Sequence, residues 1–185
     1  MSLCKLNIGS GYKRIDGFLN IDNDPMVNPD YIVDLEHANF DFLPDNSVDE
    51  VIASHILEHI GLGYVPLMKE IYRVCEEGAI VHVTFPYHRS DWYSDDPTHV
   101  RPLTANSFKL FSKKYIQYHI ENYGSSNGMA LKENIDFEVI EVQMRAFEKW
   151  ENRFKTMQPD EIQEVIDSMH NVFYEVYVKL VVVKE

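Results

Sequence analysis

The chain has 185 residues, of which 45% are hydrophobic, and it carries a formal net charge of −13 with a pI of about 5.0. This length predicts a single domain, residues 1–185, with a core of its own, and the acidic surface disfavours nucleic acid as a partner. The sequence has no apolar run of the roughly 20 residues that span a membrane, no secretory signal and two cysteines without metal or redox spacing, so we expect a cytoplasmic protein with no membrane partner.

The first half of the chain alternates short apolar strands with helical or loop segments. Strands are predicted at residues 6–8, 18–21, 31–33, 48–54 and 79–85. Between the last two, apolar side chains from Leu67 to Cys75 recur at helical spacing, and Gly78 then suits a helix C-cap. Only residues 9–17 separate the first two strands, so this crossover is predicted to be a loop or a single turn instead of the usual helix.

The second half of the chain combines helices with two late strands. Helices are expected at residues 104–111, 146–154 and 160–171, a loop at 124–128, and strands at 137–142 and 173–183. The two late strands fit an antiparallel hairpin at the edge of the sheet, with helices inserted between them. Because strands alternate with helices over the first half, the whole pattern predicts an α/β fold with a mostly parallel sheet.

Glycine, acidic and histidine residues follow the predicted strands, whose bodies are apolar. Gly9 ends the first strand, Asp22 the second, Asp34 the third and Ser54-His55 the fourth. Ligands of parallel α/β sheets bind at the carboxyl ends of the strands, where a carboxylate accepts ribose hydroxyls, and a glycine turn lets the backbone approach a ligand. The pattern predicts a nucleotide-type cofactor site, with Asp24 as the rival of Asp22 for the ribose.

Several segments of the chain, taken in order, resemble the motifs of the class I S-adenosylmethionine (SAM)-dependent methyltransferases. The resemblance is closest to the type 11 group and to short methyltransferases associated with surface-glycan synthesis. The segments are Asn7-Ile8-Gly9-Ser10-Gly11, Asn20-Ile21-Asp22, Leu43-Pro44-Asp45-Asn46-Ser47-Val48-Asp49, Ser54-His55-Ile56-Leu57-Glu58-His59, Glu70-Ile71-Tyr72-Arg73-Val74 and Val83-Thr84-Phe85-Pro86. The resemblance covers residues 4–112 as a cofactor-binding half, and residues 113–185 supply C-terminal helices and edge strands. It implies a Rossmann-like, mostly parallel seven-stranded sheet with an antiparallel C-terminal strand and a helical insertion before that strand.

The resemblance also implies SAM as the cofactor and methyl transfer to a small-molecule acceptor as the activity. The residues that it places at the cofactor are Asn7, Gly9, Ser10 and Gly11 of the first motif, Asp22 on the ribose, Asp34 and Leu35 beside the adenine, and Ser54 and His55 near the methionine end. Two positions depart from the family pattern, since Asn7 replaces an acidic residue and Lys13 replaces a third glycine. These departures motivate an alternative, a protein or subunit that binds the cofactor without turnover.

Histidines supply the candidate catalytic groups. A hydroxyl acceptor needs a base, and imidazole titrates near neutral pH, so the candidates are His55, His88 and His99. The polar loop of residues 87–101 is predicted to contact the acceptor, which is a sugar or another hydroxyl compound by analogy with the glycan-linked relatives. The segment His55-Ile56-Leu57-Glu58-His59 also fits an inverted zinc-peptidase signature, but Gly61-Leu62-Gly63 ends any helix there, so no metal site is predicted.

Aromatic residues of the second half have two interpretations. In one they line an acceptor pocket, and in the other, which we favour, they belong to the core and to a homodimer contact. The residues are Trp150, Phe154, Phe173, Tyr174 and Tyr177.

Overall fold

The computed structural model describes residues 4–124 and 127–184. Its strands are β1 Cys4–Ile8, β2 Leu19–Asp22, β3 Tyr31–Ile32, β4 Val48–Ser54, β5 Cys75–Pro86, β6 Phe137–Ala146 and β7 Phe173–Val182. They form one seven-stranded sheet in the order β3-β2-β1-β4-β5-β7-β6. Neighbours among the first five strands of this order are parallel, and β7 is antiparallel to both β5 and β6. The predicted α/β fold, with a mostly parallel sheet and an antiparallel C-terminal strand, is confirmed.

Short helices and single 3-10 turns connect the strands. The α-helices are α1 Tyr64–Val74, α2 Asp91–Ser94, α3 Ala105–Phe108, α4 Lys113–Tyr123, α5 Met129–Glu133, α6 Glu148–Phe154 and α7 Pro159–Ser168. The 3-10 turns are Pro25–Val27, Leu35–His37, Leu57–His59 and Lys109–Phe111. Among the described residues, no helix has both the length and the apolar character that crossing a membrane requires.

Apolar side chains of the central strands form the core. Leu6, Val51 and Val81 come from three neighbouring strands and are fully buried, and Leu67 and Ile71 of α1 join the same cluster. Burial of this kind contributes about 1.5–3 kcal/mol for each large aliphatic side chain. The core therefore holds the strands firmly, and the residues just beyond the strand ends are positioned by it.

β5 begins earlier than predicted, and Gly78 is not a helix C-cap. α1 ends directly before Cys75, whose backbone is extended, so the strand starts at once. Gly78 lies inside β5 at φ 79°, where the pairing with β4 is irregular: Val48 pairs with Cys75, but Glu50 pairs with Ile80. The C-cap prediction was wrong because the positive φ that favours glycine here serves a bulge within the strand.

The first crossover is the loop that the sequence predicted. Residues 9–18, all of which the structure describes, contain no helix. Asn7 Nδ2 donates to Lys13 O at 3.0 Å and to Asn20 Oδ1 at 2.9 Å, and Asn20 Oδ1 also accepts from Ile15 N at 2.8 Å. Two asparagine side chains thus supply hydrogen-bond partners for backbone groups of this loop. In a helical crossover, the backbone would pair its own N–H and C=O groups.

The second half follows the predicted order of elements with altered bounds. α6 and α7 lie between β6 and β7 in the chain, as expected, but only β6 is at the edge of the sheet. The predicted helix at 104–111 divides into α3 and a 3-10 turn, and α6 starts at Glu148 because β6 continues to Ala146. α4 was not predicted; Ile116 is its one residue classed as buried. The predicted loop at 124–128 includes residues 125–126, which lie outside the described residues.

The antiparallel strand brings its own first residues to the edge where the parallel strands end. Glu175, near the start of β7, pairs with Pro86 at the carboxyl end of β5. The backbone N–H of His55, just after β4, donates to Thr84 O at 2.8 Å. The carboxyl ends of β1, β2, β4 and β5 and the amino end of β7 therefore meet along one edge of the sheet.

Candidate functional site

Two cavities adjoin the carboxyl edge of the sheet and share Gly9. The Asp22 cavity has a volume of about 320 Å³, and its lining includes Asp22, Asp34, Leu35 and His59. The Gly11 cavity has a volume of about 660 Å³. Its lining residues on the strand-end side are Asn7, Gly9, Ser10, Gly11, Ser54 and His55. The structure thus brings every residue that was assigned to the cofactor to one of two adjoining cavities.

Gly9 separates the two cavities and tolerates no side chain. Its φ is +64°, which favours glycine. A Cβ at this position would lie 2.4 Å from Ile56 Cγ1, far inside van der Waals contact. The turn after β1 therefore packs its bare backbone against the residue that follows His55.

Asp22 is tied to the backbone on both sides of its strand tip. Its Oδ2 accepts from Gly11 N at 2.8 Å, and its Oδ1 accepts from Asp24 N at 3.0 Å. Asp24 has a different role, because its Oδ1 accepts from Met26 N at 2.8 Å and caps the 3-10 turn that follows. Of these two rival carboxylates, Asp22 lines the cavity.

The far wall of the Asp22 cavity is a 3-10 turn held in place by one glutamate. Glu36 accepts from Gly61 N at 2.7 Å and from Gly63 N at 2.8 Å, and these two N–H groups lower the pKa of its carboxyl. Asp34 caps the turn by accepting from Glu36 N at 3.0 Å. Leu35 is buried between these anchors. The turn that was predicted to flank an adenine is therefore fastened to the segment after β4.

Ser10 carries an unusual hydroxyl in the Gly11 cavity lining. The residue is 4% exposed. Its backbone N–H donates to Ile21 O at 3.1 Å. Its Oγ is buried and has no hydrogen-bond partner among the described residues. Buried polar groups usually have partners, so this hydroxyl is left unsatisfied beneath the lining of the Gly11 cavity.

His55 lies between two carboxylates. Its φ is +53°, a left-handed conformation that histidine adopts more readily than most residues. The Nε2 atom is 2.8 Å from Glu175 Oε2, and Nδ1 is 3.5 Å from Glu58 Oε1. Glu58 first and Glu175 second raise the pKa of the imidazole, while burial opposes them. Arg145 also holds Glu175, at 2.6 Å.

The sequence interpretation did not identify Glu175 as part of the site. No clear signal marked it, because Glu175 shares its face of β7 with Tyr177 and Lys179, while the apolar Val176, Val178 and Leu180 occupy the alternate positions. The expected antiparallel direction brings the start of this strand to the edge where β4 ends, but it does not indicate which residue there contacts His55.

The segment from His55 to His59 is not the helix that a zinc-peptidase signature needs. Its one element is the 3-10 turn Leu57–His59. Glu58 and His59 instead come together with His99, from the loop after β5, as a group of three side chains with ligand atoms within 4.8 Å of one another. The loop is joined to Glu58 by its backbone, since Val100 N and Arg101 N both donate to Glu58 O, at 3.0 and 3.1 Å.

His88 stands apart from the other two histidines that were predicted to be catalytic. Its ring contacts Tyr87 at 4.7 Å, and burial first and Arg89 second lower the pKa of its imidazole. Neither of the two cavity linings, as described, contains it. Of the three predicted bases, His55 alone lines a cavity, His99 lies beside Glu58, and the catalytic roles of all three stay predictions.

The aromatic residues of the second half are largely structural. Trp150 is 3% exposed and Phe173 is 6% exposed, and both belong to the core. Trp150 Nε1 also donates to Asn171 O at 2.8 Å, and Phe154 packs against the Trp150 ring. The Tyr177 hydroxyl lies 2.7 Å from His82 Nδ1. The core interpretation therefore holds for Trp150 and Phe173, and the homodimer contact stays a prediction.

Comparison with known proteins identifies the fold. No protein-family model and no curated protein matches the chain. Among solved structures, it is similar to a SAM-dependent methyltransferase from Archaeoglobus fulgidus, over 97% of this chain and 86% of the other, with a TM-score of 0.62 and 16% identity. It is also similar to a SAM-dependent methyltransferase from Mesorhizobium loti, over 97% of this chain and 91% of the other, with a TM-score of 0.53 and 13% identity.

The same fold is found in a protein that is named for another reaction. The cyclase SpnF matches all of this chain over 76% of its own length, with a TM-score of 0.57 and 15% identity. At identities this low, likeness shows the fold alone. The chain therefore has the class I SAM-dependent methyltransferase fold, and its activity has to be argued from the residues at the carboxyl edge.

Proposed function

We propose that this protein transfers a methyl group from SAM to a small-molecule acceptor, and that the acceptor is a sugar or another hydroxyl compound. One observation carries the proposal, namely the composition of the Asp22 cavity. A strand-tip carboxylate, a glycine turn at positive φ and a buried leucine line one cavity at the carboxyl edge of a sheet with this fold. These are the groups that an adenosine requires, in the place where such sheets bind ligands.

The residues along this edge fit the chemical groups of SAM. Each oxygen of Asp22 accepts one backbone N–H, and because a carboxylate oxygen has two lone pairs, both retain an acceptor site for a ribose hydroxyl. Leu35 offers apolar surface to the adenine, and the unpartnered hydroxyl of Ser10 suits the polar amino-acid end. When bound there, SAM supplies a methyl group attached to a positively charged sulfur.

In the proposed reaction, the protein holds the acceptor and takes its proton. Methyl transfer is an in-line displacement: a bond forms between the acceptor oxygen and the methyl carbon, the carbon–sulfur bond breaks, and its electron pair stays on sulfur. Correct positioning alone removes a large part of such a barrier. The hydroxyl proton passes to a base, and His55 is the candidate that lines the Gly11 cavity.

Cofactor binding without turnover is the second candidate function. Its support is Asn7, an amide at a position where the resembled family has an acidic residue. Because its amide is neutral, Asn7 brings no negative charge to the ammonium group of SAM, and its side-chain nitrogen is already engaged by Lys13 O and Asn20 Oδ1. The fold of SpnF, a protein named as a cyclase, is consistent with a use of this architecture other than methyl transfer.

Calorimetric titration with SAM and S-adenosylhomocysteine tests the cofactor. We expect both compounds to bind. Asp22→Ala should weaken binding by about 1–3 kcal/mol, because the ribose hydroxyls lose the carboxylate that accepts their hydrogen bonds. Asp24→Ala is the matched control, since it removes the cap on Met26 N and should lower stability without changing affinity. A folded protein that binds neither compound contradicts the proposal, and equal losses in both variants remove Asp22 from the ribose.

Turnover separates the two candidate functions. Formation of S-adenosylhomocysteine is measured with a panel of hydroxylated small molecules. Product formation with one of them supports methyl transfer, whereas tight binding of SAM with no product across the panel favours the second candidate.

A further inference from the structure

Glu58 is a buried carboxylate without a hydrogen-bond donor. The residue is 0% exposed. Neither Oε1 nor Oε2 has a hydrogen-bond partner among the described residues. A buried charge is tolerated when it is paired or coordinates a metal ion. The side chains around Glu58 show which partners are within reach.

Two histidines beside this carboxylate each have Nδ1 engaged by an oxygen atom. His99 Nδ1 lies 2.7 Å from Tyr93 O and must donate to that carbonyl, which leaves Nε2 as the nitrogen available to a ligand. The Thr98 hydroxyl donates its only hydrogen to Asp96 at 2.6 Å, so at 2.9 Å it accepts from His59 Nδ1. Nε2 is therefore also the remaining ring nitrogen of His59. Histidines that bind metals almost always donate their other N–H to an oxygen in this way.

The distances within the group suit one small ion. One ligand atom from each of Glu58, His59 and His99 lies within 4.8 Å of the other two, and His99 Nε2 is 4.0 Å from Glu58 Oε1. A tetrahedral ion with bonds of about 2.0–2.2 Å holds its ligand atoms about 3.4 Å apart. Ion binding therefore requires these side chains to rotate toward one another. Asp96 Oδ2, 3.8 Å from His99 Nε2, adds a further negative group at the rim.

We propose that Glu58, His59 and His99 bind a divalent transition-metal ion. Two imidazoles and one carboxylate are a ligand set typical of zinc and of the later first-row metals, and they leave coordination positions open. His59 also lines the Asp22 cavity, so an ion held here is reached from the crevice where the cofactor is proposed to bind.

Protonated His55 is the rival source of positive charge. Its Nδ1 is 3.5 Å from Glu58 Oε1, but its Nε2 is closer to Glu175, at 2.8 Å. Glu175 is also held by Arg145. Protonated His55 and Arg145 together match the charges of Glu58 and Glu175, but they give no reason for His59 and His99 to gather beside Glu58. The ion accounts for this grouping.

The ion would have a chemical role beside the cofactor. A divalent cation that binds an acceptor hydroxyl lowers the pKa of that hydroxyl and fixes its position. This role rests on the proposed methyl transfer, whereas the binding of the ion does not.

Titration of the metal-free protein with zinc and with manganese tests the site. The purified protein is stripped with a chelator and dialysed, and binding is followed by calorimetry and by the midpoint of thermal unfolding. We expect one ion per chain for at least one of the two metals, with a higher midpoint when it is bound. Glu58→Gln and, as a second variant that keeps the buried carboxylate, His59→Gln should each weaken binding about 100-fold or more.

His119→Gln is the matched control, because His119 lies on α4 among tyrosine rings and should leave ion binding unchanged. A folded wild-type protein that binds neither metal overturns the proposal, and so does binding that both Glu58→Gln and His59→Gln retain. The same protein is then titrated with SAM in chelator. Failure of SAM binding together with an intact ion site would contradict the proposed function and leave this inference standing.

Discussion

At the level of single residues, the Ser10 hydroxyl is expected to contribute to SAM binding but not to the stability of the protein. Its buried hydroxyl has no partner among the described residues, and an unsatisfied buried hydroxyl costs about 1–3 kcal/mol. Ser10→Ala is therefore expected to leave the free energy of unfolding unchanged or to raise it by about 1 kcal/mol. The same change should weaken SAM binding about fivefold to tenfold, because the cofactor loses one hydrogen bond. Urea denaturation and calorimetry measure the two effects.

Ser107→Ala is the control for Ser10→Ala. The Ser107 hydroxyl donates to Thr104 O at 2.6 Å and accepts from Thr104 N at 3.3 Å in the capping box of α3. Its loss is expected to cost about 0.5–2 kcal/mol of stability and nothing in SAM affinity. If Ser10→Ala destabilises the protein as Ser107→Ala does, and SAM affinity is unchanged, Ser10 is structural.

At the level of elements, the segment after β4 and the turn Leu35–His37 are one unit. A Cβ on Gly63 would lie 2.0 Å from the backbone oxygen of Glu36, so Gly63→Ala must push the turn that lines the Asp22 cavity. We expect a loss of about 2–3 kcal/mol of stability, typical of overpacking, and weaker binding of SAM. Gly61→Ala is the control, since its Cβ would meet only the carboxylate of Glu36, at 3.3 Å. Equal stabilities of the two variants would show that this contact is not rigid.

The Glu36 carboxylate makes the same unit sensitive to acid. Backbone N–H groups of Gly63 and Gly61 lower the folded-state pKa of Glu36 below its ordinary value of 4.5. A lowered folded pKa contributes stability above the unfolded pKa, and that stability is lost as the pH falls through the folded value. The stability difference between wild type and Glu36→Gln should therefore be largest above about pH 4.5 and shrink in acid. Urea denaturation across this range measures the difference. A difference that stays constant with pH would show that the hydrogen bonds from Gly61 and Gly63 to Glu36 do not stabilise the protein.

Elements with strong local patterns were predictable, and weakly patterned ones were not. β4 was predicted with its exact bounds, Val48–Ser54, because an apolar run follows a turn signal. α4 was missed although Ile116, Ile120 and Tyr123 recur at helical spacing; this stripe is narrow, and of the helix only Ile116 is buried. Gly78 was misread because a glycine at positive φ serves a helix end and a strand bulge equally well. Local sequence does not distinguish these two uses.

At the level of the whole molecule, some residues of the candidate site were predictable from the sequence and others were not. Gly9, Asp22 and Leu35 were predictable because each follows directly from a strand end in the chain. The proposed ion site was not predictable, because His99 is brought to Glu58 by hydrogen bonds from the next residues, Val100 and Arg101, across more than 40 positions of sequence. Glu175 likewise contacts His55 across 120 positions of sequence. Contacts of this kind are set by topology, which short motifs do not encode.

The net charge of the molecule gives a further prediction. The chain has 30 acidic and 17 basic residues, and three of the acidic ones, Asp22, Asp34 and Glu36, line the Asp22 cavity, so we expect a negative field there. SAM has a net charge of +1 at neutral pH and S-adenosylhomocysteine has none. Raising sodium chloride from about 0.05 to 0.5 M shortens the Debye length from about 14 to 4 Å and should weaken SAM binding more than S-adenosylhomocysteine binding. Calorimetry at both salt concentrations measures the two affinities, and equal salt dependence of the two ligands would show that the acidic surface plays no part in selecting the methyl donor.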